Sequence, residues 1–277
     1  IVARVAEQTA RGARVWPQMQ TRPIDISFNF SVPSLLFIRL PKWYALMRFN
    51  EPEQIMASLT DSSVRDALVA EAQGMMPLWN RLVLRQVVSE ANQCLVGKTL
   101  QEIAELRGSD ALNVMIDVSL EESLDAHFLS GDMGHNEDDL VAPLLKHPNV
   151  MVGASDGGAH ILSFATYGDT GYLLGHFVRD TAHLGLEAAV KKITADPASL
   201  WGLGNRGMLR EGFIADITVF DEAVVDRGVE YFVQDVPGDG YRYVRDAHGI
   251  HSVVIGGALA YDKVNGYREA HRGQIIG

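Results

Sequence analysis

The residue with the clearest capacity for chemistry is Asp156, which with Ser155 follows an apolar segment over residues 149–154 that predicts a short strand. In α/β proteins, active sites lie at the carboxyl ends of such strands. Gly157 and Gly158 would let backbone or ligand approach closely. A carboxylate here could take a proton from a water molecule or bind a metal ion. Because aspartate also caps loops and helices, a purely structural role stays open from spacing alone.

Three histidines lie where they could share a cavity with Asp156. His160 lies four residues after Asp156, and it is either a substrate contact or an ordinary loop residue. His127 and His135 could line the same mouth, although a lone histidine of this kind is more often structural. The sequence contains no His-x-His pair, no His-Glu-x-x-His, no P-loop and a single cysteine. Local motifs therefore do not complete a metal site or a nucleotide site.

Helices and strands alternate over the first part of the chain. Residues 1–11 predict a helix and residues 13–16 a short strand. Asp61 or Ser62 predicts a helix N-cap, and Thr99 begins a capping box whose helix ends at Gly108. This order is typical of an α/β fold.

The region before Asp156 predicts a strand, a helix and a second strand. The first strand covers residues 124–129 and the second covers 149–154. Asn136 predicts the helix N-cap between them. The apolar face of that helix is predicted from Leu140, Leu144 and Leu145.

Residues 20–50 are rich in proline and in aromatic side chains, and their pattern predicts irregular structure. A long segment of this kind is either functional, such as a lid over a substrate, or a hydrophobic cover over a core. The sequence leaves these two alternatives open.

The pattern changes near residue 200 from α/β to short strands. Gly256 and Gly257 predict a hairpin between two of these strands. We therefore predict two domains: residues 1–203 as the α/β part, which carries Asp156, and residues 204–277 as a small β domain.

Composition and charge exclude several classes of protein. The 277 residues include 24 basic and 35 acidic side chains, a formal charge of −11, which argues against a nucleic-acid binder. There is no apolar run long enough for a membrane-spanning helix, and we expect a cytoplasmic protein. The one cysteine, Cys94, is predicted to be a buried thiol without a disulfide partner.

Two stretches of the sequence resemble the amidohydrolase superfamily, and more narrowly its branch of N-acyl-D-amino-acid deacylases (D-aminoacylases). Residues 152–160, Val-Gly-Ala-Ser-Asp-Gly-Gly-Ala-His, are similar to the motif of the last barrel strand. Residues 193–221 are similar to the passage from the final barrel helix into the β-sandwich. Residues 249–257 resemble the last sandwich hairpin.

The resemblance implies the C-terminal portion of a (β/α)₈ TIM barrel with a small β-sandwich domain. It implies that Asp156 is the catalytic proton shuttle and a weak candidate metal ligand, with Ser155 and His160 as substrate contacts. It also implies zinc or another divalent metal, and a small N-acyl amino acid as substrate. The family's early His-x-His pair and its middle-strand metal ligands match no position here. We therefore expect a truncated chain that binds metal poorly by itself. We also expect the chain to self-associate through an open barrel edge.

Two other functions stay open at this stage. The first is a cyclic amidase of the hydantoinase or dihydroorotase type, which shares the aspartate. The second is a non-catalytic barrel remnant that serves as a folding or interaction module.

Overall fold

The computed structural model describes residues 2–153, 155–238, 240–268 and 273–275. Its α-helices are α1 Val2–Ala10, α2 Pro41–Phe49, α3 Pro52–Thr60, α4 Ser62–Ala72, α5 Met76–Trp79, α6 Leu100–Arg107, α7 Ala111–Glu121, α8 Asp138–Lys146, α9 Asp169–Tyr172, α10 Leu186–Ile193 and α11 Ala195–Leu200. Its strands are β1 Gln18–Met19, β2 Ile24–Phe28, β3 Val83–Gln86, β4 His127–Met133, β5 Met151–Val152, β6 Ile217–Phe220, β7 Asp226–Arg227, β8 Tyr231–Val236, β9 Gly240–Val244, β10 Ala247–His248, β11 Ile250–Ile255, β12 Ala258–Asp262 and β13 Gly266–Tyr267. Within these ranges no helix is long and apolar enough to cross a membrane.

The strand that leads to Asp156 is β5, and its partner is β1. The two strands run parallel, with Gln18 opposite Met151 and Met19 opposite Val152. The strand expected at residues 13–16 is displaced, because pairing begins only where the Met151 amide donates to the Pro17 carbonyl at 3.0 Å. This pair places the carboxyl ends of β1 and β5 side by side.

The strand expected at 124–129 is displaced to His127–Met133, which is β4, and it does not join β5. β4 instead lies between β2 and β3, antiparallel to both. A closed barrel of parallel strands is therefore not formed by the described residues, and the sheets are small and open. The reason is side-chain packing: Phe28 of β2 and Phe128 of β4 are fully buried, with ring centroids 5.5 Å apart.

The helix ends follow the local signals. The Asp61 carboxylate accepts hydrogen bonds from the amides of Ser63 and Val64, which begins α4. Thr99 and Glu102 form the complete capping box of α6, and Gly108 ends this helix with a φ of 64°. These signals act within one helical turn and so determine the boundaries without long-range contacts.

The aromatic segment at residues 20–50 is part of the main hydrophobic core. It contains β2 and α2 as well as a 3₁₀ turn at Leu35–Phe37. Phe28, Phe30, Phe37 and Trp43 are at most 1% exposed and pack on one another. Of the two alternatives, the hydrophobic cover is confirmed for these four side chains.

Three local predictions are wrong: the N-cap of α8, its apolar face and the burial of Cys94. Helix α8 follows Glu137 rather than Asn136. Its buried face is Val141, Ala142 and Leu145, while Leu140 and Leu144 are 62% and 38% exposed. Cys94 is exposed, because the 3₁₀ turn Glu90–Leu95 directs Asn92 and Leu95 inward instead.

The strands beyond residue 204 form a four-stranded antiparallel sheet in the order β13-β12-β11-β6, and two strand pairs, β8–β9 and β7–β10. The hairpin predicted at Gly256-Gly257 joins β11 to β12, and both glycines have positive φ values. A second hydrophobic cluster contains Val225 from this region and Leu145, Leu173 and Phe177 from the preceding one. The last two of these belong to a π-helical segment at Leu173–Asp180.

A buried carboxylate links α7 to the loop after β3 and gives the fold a pH dependence. Burial alone would raise the pKa of Glu122, but hydrogen bonds from the Ser89 hydroxyl, the Asn92 amide and the backbone of Ser89 and Val88 lower it to about 2. Since the pKa is lower in the folded state than in the unfolded chain, this stabilisation is complete above about pH 4.5. It is lost as the pH falls from there toward 2.

We therefore expect Glu122→Gln to lower the free energy of unfolding by up to about 3 kcal/mol at pH 7 and by much less near pH 3. Urea denaturation at both pH values measures the difference. The exposed Glu105→Gln is the control. An equal loss at both pH values would contradict the assignment.

Candidate active site

The candidate site is the loop that follows β5, over residues 153–168. Its first residue is held close to β1: a Cβ on Gly153 would lie 2.5 Å from Oε1 and 2.8 Å from Cβ of Gln18. Only glycine permits this approach. The Gly153 amide also donates to the Met19 carbonyl at 3.2 Å. The loop therefore leaves the paired ends of β1 and β5 at a fixed point.

Asp156 is exposed, three residues beyond that point. Its φ of 59° lies in the left-handed region, which costs a residue with a side chain about 1 kcal/mol or more. Its carbonyl accepts the Thr166 hydroxyl at 2.6 Å and the Ala159 amide at 3.1 Å. Its carboxylate makes no hydrogen bond or ion pair with any described residue. The backbone is thus fixed and the carboxylate is left available.

Ser155 and His160 lie in the same loop. The Ser155 hydroxyl accepts the Gly157 amide at 3.2 Å. His160 is exposed, has a φ of 50°, and places its ring against the edge of Phe164 at 5.6 Å. Their predicted role as substrate contacts remains a prediction.

We expected no Gly-x-Ser-x-Gly nucleophile elbow in this sequence, and that expectation is wrong, because residues 153–157 have this spacing. In such an elbow the strained residue is the serine and a helix follows. Here the positive φ is at Asp156, and Ser155 leads into a loop rather than a helix. A serine nucleophile is therefore not supported.

A buried ion pair lies directly beneath the loop. Arg22 is 1% exposed, and its Nε donates to Oδ2 of Asp169 at 3.2 Å. Its Nη2 donates to the Ser155 carbonyl at 3.1 Å. Asp169 is fixed in turn by the Thr21 amide at 3.0 Å. Burial lowers the pKa of Arg22, and the Asp169 charge opposes that shift, so the pair is needed to keep the guanidinium inside the protein.

The loop is also bound from outside. The Ser27 amide of β2 donates to the Ser163 carbonyl at 2.7 Å. From the C-terminal strands, the Tyr243 amide donates to the Ile161 carbonyl at 2.9 Å and the Arg245 amide donates to the Tyr167 hydroxyl at 3.0 Å. The strands beyond residue 204 thus contribute to the position of the loop.

A second charge cluster adjoins Arg22. Asp25 accepts from Arg227 at 3.0 Å and from Arg245 at 3.1 Å, and Arg245 also donates to Glu230 at 3.0 Å. Burial raises the pKa of Glu230, and the positive charge of Arg245 opposes this. The four side chains line a cavity of about 390 Å³.

A larger cavity of about 1060 Å³ lies between α10 and β6. Asp156 lines neither of them.

The histidines predicted as candidates for the cavity mouth have hydrogen-bond partners. His127 is buried, with Nδ1 2.6 Å from the Tyr243 hydroxyl and Nε2 3.4 Å from Oδ1 of Asp125. Burial lowers the pKa of His127, which favours the neutral ring as acceptor of the Tyr243 proton. His135 Nδ1 lies 3.2 Å from the Gln20 carbonyl.

The expected metal has no ligand set in this part of the protein. Across the ranges that the structure describes, no three His, Cys, Asp or Glu side chains are grouped so that they could hold a metal ion. Asp156 alone does not make a zinc site, since zinc takes three or four protein ligands. The described residues therefore do not fit the metal by themselves.

Comparison with known proteins assigns the family. The family model described as the amidohydrolase family matches residues 43–261, which is more than half of the chain. The chain belongs to this family. The D-aminoacylase of Alcaligenes xylosoxydans xylosoxydans is 31% identical over 184 residues, covering 66% of this chain and 34% of that protein. The N-acyl-D-glutamate deacylase of the same organism is 38% identical over 135 residues, covering 47% and 26%.

This member of the amidohydrolase family spans between about a quarter and a third of the length of the curated relatives it matches. A crystal structure of D-aminoacylase is 29% identical with a TM-score of 0.40, and covers 71% of this chain and 37% of that chain. Because that superposition is weak, the family assignment depends on the sequence match. The sequence match confirms the resemblance to the amidohydrolase family that residues 152–160 and 193–221 indicated.

Arg22, Thr166 and Asp169 were missed by sequence reasoning. Arg22 and Asp169 are 147 residues apart, and no local pattern connects them. The one available signal for Arg22 was a charged side chain between two strands. Thr166 carried no signal, because its role depends on the fold of the loop.

Proposed function

We propose that this chain contributes the catalytic aspartate of a metal-dependent amide hydrolase, and that the substrates are N-acyl-D-amino acids. The products would be a carboxylic acid and a D-amino acid. Asp156 is the proposed proton shuttle, and Ser155 and His160 are proposed substrate contacts.

The observation that supports this proposal best is the free carboxylate of Asp156. It lies beyond the carboxyl end of β5, on a backbone that is held in a left-handed conformation by surrounding hydrogen bonds. Strained backbone that is held from several sides occurs preferentially at active sites. The deacylase names of the relatives at 31% and 38% identity favour an acyclic N-acyl amino acid over a cyclic amide.

A carboxylate can serve both proton transfers that amide hydrolysis needs. It accepts a proton from the water that attacks the amide carbonyl. It then delivers this proton to the amine nitrogen as the carbon–nitrogen bond breaks. One water is consumed, and the proton held by Asp156 between the steps ends on the leaving amine. Because the carboxylate is exposed and unpaired, it is accessible to water and substrate in both steps.

Substrate profiling separates the candidate functions. An active enzyme that contains this chain should hydrolyse N-acetyl-D-amino acids much faster than their L isomers, hydantoins or dihydroorotate. Faster turnover of the cyclic amides would replace the deacylase assignment with a cyclic amidase. If the 277-residue chain contains no metal as isolated, and added zinc gives no hydrolysis, the chain by itself is a non-catalytic module.

We also propose that the chain self-associates. The pair β1–β5 has only two strands among the described residues, and β6 has no partner there on its outer edge. Unpaired strand edges are templates for pairing with another chain. Sedimentation velocity at increasing protein concentration should therefore detect dimers or larger species. A single monomer peak at all concentrations would disprove it.

A further inference from the structure

We propose that Arg22, held by Asp169, is a positioning residue that fixes the backbone from which the Asp156 carboxylate projects. This inference rests on the proposed function of Asp156. Neither Arg22 nor Asp169 would contact the substrate, and their effect on the reaction would be transmitted through the Ser155 carbonyl.

The three nitrogens of the Arg22 guanidinium each have a separate acceptor. Nε donates to Asp169, Nη1 to the Pro23 carbonyl at 3.0 Å, and Nη2 to the Ser155 carbonyl at 3.1 Å. A planar fork with fixed donor directions can bind three acceptors in one geometry, whereas the single ammonium of lysine cannot reproduce this arrangement. The Ser155 carbonyl belongs to the peptide group that also contains the Asp156 nitrogen. Its orientation therefore affects φ of Asp156.

The acceptor that holds Arg22 is itself fixed. Asp169 Oδ1 accepts the Thr21 amide, and the Asp169 carbonyl accepts the Thr21 hydroxyl at 2.7 Å. Thr21 and Arg22 both follow β1, whereas Asp169 begins α9. The network thus connects the end of β1 to both ends of the loop, at Ser155 and at Asp169.

Stability alone does not explain this arrangement. A buried ion pair contributes little net stability compared with apolar residues of the same volume. The pair is also adjacent to Arg227 and Arg245, whose positive charges further lower the pKa of Arg22. Arg22 is buried despite this cost, and its Nη2 binds the Ser155 carbonyl. This combination favours a geometric role for Arg22.

The test compares Arg22→Lys with Arg65→Lys. Arg65 also bonds a carboxylate and a carbonyl oxygen, those of Asp117 and Asn113, but it joins α4 to α7 far along the chain from the loop. In the 277-residue chain, hydrogen–deuterium exchange at the Gly157 and Ala159 amides should become at least about tenfold faster in Arg22→Lys only. In an active enzyme that contains the chain, Arg22→Lys should lower kcat at least about tenfold and change KM less than about threefold, whereas Arg65→Lys should change neither.

A second variant keeps the test decisive if Arg22→Lys does not fold. Asp169→Asn retains an acceptor for Thr21 but removes the charge that holds Arg22, and it should also accelerate loop exchange. The proposal would be overturned if Arg22→Lys and Asp169→Asn had the same loop exchange rates and the same kcat as Arg65→Lys. If the unmodified enzyme hydrolyses no amide, the proposed function fails, while the exchange rates still decide whether Arg22 positions the loop.

Discussion

Asp156→Asn should reduce turnover of an N-acetyl-D-amino acid by on the order of 10³-fold in an active enzyme that contains this chain. Asparagine has nearly the same shape as aspartate, but it does not accept the proton of the attacking water. The variant should fold normally, because the Asp156 carboxylate contacts no other described residue through a hydrogen bond or ion pair. We expect its free energy of unfolding to stay within about 0.5 kcal/mol of the unmodified protein.

The matched control for this experiment is Asp139→Asn. Asp139 is also an exposed aspartate, but it lies in the first turn of α8. Steady-state kinetics and urea denaturation of both variants separate loss of chemistry from loss of structure. Near-normal turnover by Asp156→Asn would remove the proton-transfer role. A large loss of stability instead would show that the carboxylate has a structural partner.

Local signals in the sequence predicted the features that depend on neighbouring residues. The caps at Asp61 and Thr99, the helix end at Gly108 and the hairpin at Gly256-Gly257 each involve groups within a few positions of one another. Likewise, the apolar run before Asp156 was sufficient to predict β5. The physical reason is that one turn of chain satisfies its own hydrogen bonds in these motifs.

Features that depend on distant contacts could not be predicted in this way. The pairing of β4 with β2 and β3, instead of beside β5, is decided by burial of Phe28 against Phe128 across 100 residues of chain. The support of the Asp156 loop by Arg22 has the same origin, since its partners come from three separate segments. Family resemblance supplied the proposed role of Asp156, but it carried no information about the side chains that hold its loop.

The aromatic core gives the second large expected effect: Phe37→Ala should lower the free energy of unfolding by about 3–5 kcal/mol. Phe37 is fully buried, and its ring centroid lies 5.2 Å from those of Phe28 and Trp43 and 5.5 Å from that of Trp79. Truncation leaves a cavity between rigid rings that have little freedom to close it. Aromatic pairs of this geometry also add to the stabilisation that burial gives.

Phe49→Ala is the control in the same segment, because Phe49 is 74% exposed and should change the free energy of unfolding by less than about 0.5 kcal/mol. Urea denaturation of both variants tests whether residues 28–49 are core or lid. A lid would give the opposite pattern to the one expected here: Phe37→Ala would leave stability unchanged and would instead alter KM. The rings around Phe37 come from three other elements, with Phe28 in β2, Trp43 in α2 and Trp79 in α5. Truncation of Phe37 should therefore destabilise the whole cluster cooperatively. A single unfolding transition at lower urea for Phe37→Ala, with kcat and KM retained in the folded fraction, is therefore the expected result.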